Sequence, residues 1–154
     1  MKKIFAVVVL CLMASMAWGA DSDGTKQVDV VSDPNSNIKR IDVAWTASAI
    51  AEKVDVVIKG VAGMVIKFVT NPGSPAPADN YDITVLDSHG IDIAGATLAN
   101  RDTSTTEMVW ATTDDGTTDA QYGVPVVGDL TATFTGLATG DCEGVLSIYV
   151  EIKK

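Results

Sequence analysis

Catalysis in this chain would fall to its histidine, its cysteines and its carboxylates, and their settings limit what each can do. His89 is the only histidine among 154 residues. It stands in Asp87-Ser88-His89-Gly90, where Asp at the first position and Gly at the fourth specify a tight turn. A catalytic triad would need a serine and an acid to converge on that turn tip, and no G-x-S-x-G elbow is present. The cysteines are Cys11 and Cys142. Cys11 lies inside an apolar run and follows Leu10, where a lipid-modified cysteine would follow a small residue. If that run is removed, Cys142 has no disulfide partner in the chain; the options are pairing between chains or a buried thiol, and the buried thiol is the simpler reading. One histidine and one cysteine cannot supply the ligands of a structural zinc.

Carboxylates are more numerous. Asp114, Asp115 and Asp119 surround Gly116, and an oxygen-rich loop of this kind is a calcium candidate. It lacks the alternate ligands and distant Glu of an EF-hand loop, so a solvated acidic loop is the simpler reading. Tyr122, next to that loop, is the one aromatic expected to be exposed and is a candidate binding residue. Asp79, Asp82, Asp87 and Asp92 flank a strand and its turn, where such side chains commonly accept bonds from their own backbone. Glycoside hydrolysis would need two carboxylates at a set separation, and the chain offers too many pairs to single one out. Trp45, Trp110, Phe68, Phe134, Tyr81 and Tyr149 all fall in strand patterns and are expected in the core. Gly60 and Gly63 read as flanking a turn between strands, not as a phosphate loop. No catalytic residue and no cofactor is expected, and the chain reads as a non-enzyme.

The elements that would position these groups begin after a removable leader. Lys2 and Lys3 precede the apolar run Ile4 to Met13, and Ala17-Trp18-Gly19 follows, the layout of a secretory signal peptide over residues 1–19. The run is too short to span a bilayer, which takes about 20 apolar residues. Cleavage would leave residues 20–154 and move the formal net charge from −9 to −11, because two lysines leave and no acid does. Such a charge repels phosphate backbones and anionic membranes. Residues 20–37 read as a polar lead-in or arm in which Gln27 to Val31 alternates like an edge strand.

From Ile38 onward the pattern is that of strands. Ile41, Val43 and Trp45 alternate with polar or small residues. Val54 to Lys59 and Met64 to Thr70 follow, with Met64, Ile66 and Phe68 on one face and Val65, Lys67 and Val69 on the other. Asn71 to Asn80 holds three prolines and reads as an extended surface connection. Tyr81 to Leu86 is a strand, returned through the Asp87 turn by Ile91 to Ile93. A segment at Ala96 to Ala99 and strands at Glu107 to Thr112, Tyr122 to Val127, Leu130 to Thr135 and Val145 to Ile152 complete the series. Ala47 to Glu52 alone has helical character. Short strands with turn signals every 8–12 residues or so imply an all-β fold: a single antiparallel β-sandwich, Ig-like or jelly-roll-like, over residues 38–154.

Several ordered pieces carry a resemblance: Ile38-Lys39-Arg40-Ile41 leading to Trp45-Thr46, Gly63 to Thr70 with Asn71-Pro72, and Pro77-Ala78-Asp79-Asn80-Tyr81-Asp82-Ile83-Thr84. Leu98-Ala99-Asn100-Arg101-Asp102-Thr103 and Gly144-Val145-Leu146-Ser147-Ile148-Tyr149 continue it. From Ile38 to Ile152 the chain resembles small β-sandwich proteins of tailed-phage and prophage genomes, of virion-associated type. The resemblance implies a structural or interaction subunit of a particle or surface assembly, with protein partners or self-association. It carries over no catalytic or binding residue. The export signal and the longer Ala111 to Tyr122 loop depart from the pattern. An exported location, periplasmic or extracellular, follows from the leader, and a virion-associated one if the gene is a phage's. The alternative is a secreted binding module for a glycan or host receptor, using the Pro-rich loop and the Ala111 to Tyr122 loop.

Overall fold

The computed structural model describes residues 26–32, 36–48, 53–113, 121–137 and 141–153. The leader, the Asp114, Asp115 and Asp119 cluster and most of the helical-looking Ala47 to Glu52 stretch lie outside them. The described residues contain strands and turns and no helix, so none is long and apolar enough to cross a membrane. In chain order the strands are β1 (Lys26–Ser32), β2 (Ile38–Ala47), β3 (Lys53–Pro72), β4 (Asp82–Leu86), β5 (Glu107–Trp110), β6 (Thr112–Thr113), β7 (Gln121–Tyr122), β8 (Val124–Thr135) and β9 (Cys142–Glu151). Seven form one antiparallel sheet in the order β1-β2-β9-β3-β8-β4, with β5 added to β3; β6 and β7 pair separately. The alternation at Gln27 to Val31 does give an edge strand, β1, paired along its length with β2.

The 20-residue β3 departs from the sequence reading. Val54 to Lys59 and Met64 to Thr70 are not two strands separated by a turn but one strand carrying two bulges. Ile58 pairs with Leu130 and Val61 with Gly128, so Lys59 and Gly60 together oppose Asp129. Gly60 takes a left-handed φ of 64°, the conformation such a bulge requires. The Asp129 carboxylate accepts the Gly60 amide at 3.0 Å and the Lys59 ammonium at 2.7 Å. Those bonds hold the carboxyl below its ordinary range, the Lys59 bond most of all. The second bulge is at Ile66, between the Val65–Val150 and Lys67–Tyr149 pairs, and its carbonyl accepts the Ala111 amide at 3.1 Å. Each extra residue reverses the alternation of side chains. Val54, Val56 and Ile58 are buried, then Val61 and Val65, then Phe68 and Thr70. Hence Phe68 shares its face with Val65 and not with Met64, which is exposed.

The sheet folds over on itself. Three strand spacings separate β2 from β8, about 14 Å in a flat sheet, yet the rings of Trp45 on β2 and Phe134 on β8 stack at 4.7 Å. Tyr81 tilts against the same indole at 6.2 Å. Such a pair adds about 0.5–1.5 kcal/mol beyond its buried area. Ile41, Val43, Val54, Ile58, Phe68, Val85, Leu130, Leu146 and Ile148 belong to the same buried cluster as the three rings. Gly144 is there because Trp45 is: a Cβ on it would meet the indole at 2.9 Å and the Asn71 carbonyl at 3.2 Å. Cys142 is buried in this core and makes no disulfide among the described residues.

Candidate interaction surface

The acids nominated as backbone acceptors are used that way. Asp87 accepts the amides of His89 at 2.8 Å and Ile91 at 2.9 Å, which closes the turn and lowers its pKa. His89 is at the exposed tip, 3.5 Å from the Asp87 carboxylate. Asp92 accepts the amides of Ala94 and Ala96, and Asp82 accepts that of Asn100. Asp102 holds Ser104 and Thr105 in the same manner. Ile91 to Ile93, expected as a returning strand, makes only a single bridge, Leu86 to Asp92. These acids instead shape a run of turns that buries Ile93, Ala94 and Leu98. Because that run lies along β4, it covers the outer edge of the strand. Ile83 donates to Leu98 and Ile93 to Val85, and Tyr81 bridges Arg101.

Arg101 pairs with a neighbouring acid, Glu107 at 3.5 Å, and also donates twice to the Ala99 carbonyl. The adjacent Tyr81 phenol is pushed up to about 12 by burial and by the charge of Glu107. Thr70, beside it, has a buried hydroxyl that makes no hydrogen bond of acceptable geometry, although its proximity to the phenol slightly opposes that rise. The Arg101–Glu107 pair and the Asp102 amide bond to Glu107 tie the 99–102 turn to β5. Among the described residues, no three His, Cys, Asp or Glu side chains are grouped to hold a metal. The backbone of Tyr122 pairs with Thr112.

Two open surfaces among the described residues bear on interaction. One is the outer edge of β1, which ends the strand order opposite β4. All seven residues of β1 are exposed. Val28 and Val30 stand opposite the buried Val43 and Ile41, so they belong to the inward face, yet they are 36% and 59% exposed. They border a small hollow of about 100 Å³ walled by Ile41, Ile58, Val61 and Val150. Among the described residues no backbone covers this edge, whereas that of β4 is covered.

The second is the outward face of the sheet, where register sets four side chains in a row across four strands. Arg40 of β2 is opposite Tyr149 of β9, Tyr149 is opposite Lys67 of β3, and Lys67 is opposite Trp110 of β5. The Lys67 ammonium lies 4.4 Å from the Tyr149 ring centroid, a cation–π contact. Arg40 is held by Asp42 at 2.8 Å, and that bond raises its pKa further. Asp42 also accepts the Ser147 hydroxyl at 2.6 Å. Trp110 and Met108 are each 49% exposed. Both Trp110 and the half-buried, outward-facing Tyr149 were expected in the core. The Tyr149 outcome was legible: Ser147 and Glu151 share its parity, and Leu146, Ile148 and Val150 do not. For Trp110 the four residues of β5 show that it shares a face with Met108, but not which face is inward.

The Pro-rich connection lies close against the sheet. Gly73 donates to Glu143 at 2.8 Å, Glu143 donates back to Pro75 at 2.9 Å, and Asn71 accepts the Thr106 hydroxyl at 3.0 Å. No protein-family model matches the chain, and no curated protein matches it.

Proposed function

We propose that the protein is a non-enzymatic structural or interaction subunit of an exported assembly, of the phage type its sequence resembles, whose copies join along β1. The observation that carries this reading is the contrast between the two ends of the sheet. An uncovered strand edge presents a row of amide donors and carbonyl acceptors that templates pairing with another chain, and proteins ordinarily blunt such edges. Here a ten-residue run of turns, held by side-chain carboxylates, covers β4, while β1 is left with Val28 and Val30 on a half-covered apolar face. Antiparallel addition of a second β1 would cover both valines and the hollow beneath them.

The folded sheet is read as a β-sandwich in which β3 serves both layers, its N-terminal half beside β8 and β4 and its C-terminal half beside β5, β9, β2 and β1. Export rests on the Lys2-Lys3 and Ile4 to Met13 leader. Sedimentation over a wide concentration range tests the proposal, using the native protein and a Val30→Lys variant. A mass that rises with concentration in the first and stays monomeric in the second is expected. A native protein that is monomeric throughout overturns the reading.

A further inference from the structure

The outward row gives the molecule a second surface, separate from the β1 edge. We infer that Trp110 and Lys67 form a subsite for an acidic sugar, the indole taking the ring and the ammonium its carboxylate. The geometry is set by the backbone. Direct opposition across β3 and β5 fixes the two side chains on one face with their Cβ atoms about 4.5–5.5 Å apart. Trp110 is half exposed on a sheet surface, where an indole offers an apolar face to the C–H side of a pyranose ring. Lys67 makes no ion pair among the described residues, and its ammonium lies over the ring of Tyr149. On a chain of net charge −9, a cation without a carboxylate and flanked by two aromatic rings is complementary to a single anionic group. A charge-assisted bond would satisfy it.

Further along the row, Arg40 is already neutralised by Asp42, and Asp42 and Ser147 bond each other. Those groups face the hydroxyls of a neighbouring sugar. Among the described residues the row offers one cation without a carboxylate partner, on a chain of net charge −9, so the ligand is an oligosaccharide with isolated carboxylates, of uronic or sialic type. The paired strands supply a rigid support, which keeps the ordering cost of binding small.

Calorimetric titration of the purified protein with a xylo-oligosaccharide bearing one glucuronate, an oligosaccharide bearing one sialate, and the methyl esters of both tests the assignment. At least one free acid is expected to bind saturably, with its methyl ester weaker by about tenfold or more, the loss that accompanies one charge-assisted bond. Added salt should weaken the acid and leave the ester unchanged. Lys67→Met should erase the difference between acid and ester, and Trp110→Ala should weaken both. Trp110→Phe, which keeps a ring, serves if the alanine variant is unstable, and it should retain part of the affinity. No saturable binding of either acid overturns the inference. So does equal binding of acid and ester, equal binding of polyglutamate, or full affinity in Lys67→Met. None of these results depends on whether copies associate through β1, because a monomer carries the whole subsite.

Discussion

Replacing glycine by alanine at positions 60 and 63 of β3 should give two very different proteins, although both glycines have positive φ and lie three residues apart. At Gly60 a Cβ would meet nothing within 4 Å, so the substitution costs only the left-handed conformation. That is about 1–2 kcal/mol, partly offset by the stiffer unfolded chain, for a net of about 1 kcal/mol. At Gly63, with φ of 146°, a Cβ would be pressed against the Glu151 carbonyl oxygen and would lie 2.7 Å from Val150 Cγ1. Strain contributes about 1–3 kcal/mol, and forced movement of β9 a similar amount. The total is about 2–6 kcal/mol. For a domain of this size each kcal/mol moves Tm by about 3–5 °C, so Gly63→Ala should melt about 6–30 °C below the native protein and Gly60→Ala about 3–5 °C below. Urea unfolding followed by circular dichroism would give both free energies. Were the two glycines flanking an open turn, as the sequence alone suggests, their substitutions would cost alike. Equal destabilisation within about 0.5 kcal/mol, or greater damage at Gly60, would refute the continuous bulged strand.

Phe134→Ala should cost about 3–5 kcal/mol and shift the emission of Trp45 to the red, since it removes the ring stacked on the indole; fluorescence and urea unfolding together check this. The carboxyls of Asp87 and Asp102 have lowered pKa values because the amides of Ile91 and Ser104, respectively, donate to them. Their contribution to stability is therefore complete above their ordinary value of 3.8 and is lost as pH falls through the lower folded values. Melting temperatures from neutral pH down to about pH 2 should fall less steeply in an Asp87→Asn/Asp102→Asn variant, and an unchanged acid limb would count against the assignment. Tyr81 has the opposite sense. Its phenol, raised to about 12, favours the fold below the ordinary value of 10.0, and that contribution is lost as pH rises toward 12. Tyr81→Phe should flatten the alkaline limb and remove a phenolate absorbance step near pH 12.

Much of this architecture is legible in the residues. Ile41, Val43 and Trp45 alternate because β2 has one buried face, and Asp87 with Gly90 marks its turn without ambiguity. The acids at Asp82, Asp87 and Asp92 could be assigned to backbone bonding from turn chemistry alone. Three things were hidden, for different reasons. A bulge reverses side-chain parity without altering composition, so Val54 to Thr70 reads as two strands with a misassigned second face until the pairing with β8 and β9 is known. Exposure of Trp110 depends on which face of a four-residue strand meets the core, and Glu107 and Val109 alone do not decide that. The open edge of β1 is likewise a property of the whole sheet, since its valines resemble those of any buried strand.

Hydrogen–deuterium exchange along β1, measured in dilute and in concentrated protein, tests assembly through this edge most directly. The amides of Lys26 to Ser32 that face away from β2 should exchange quickly when dilute and slow markedly on concentration, while those of β8 stay constant. Exchange in β1 that is rapid at both concentrations would contradict the account.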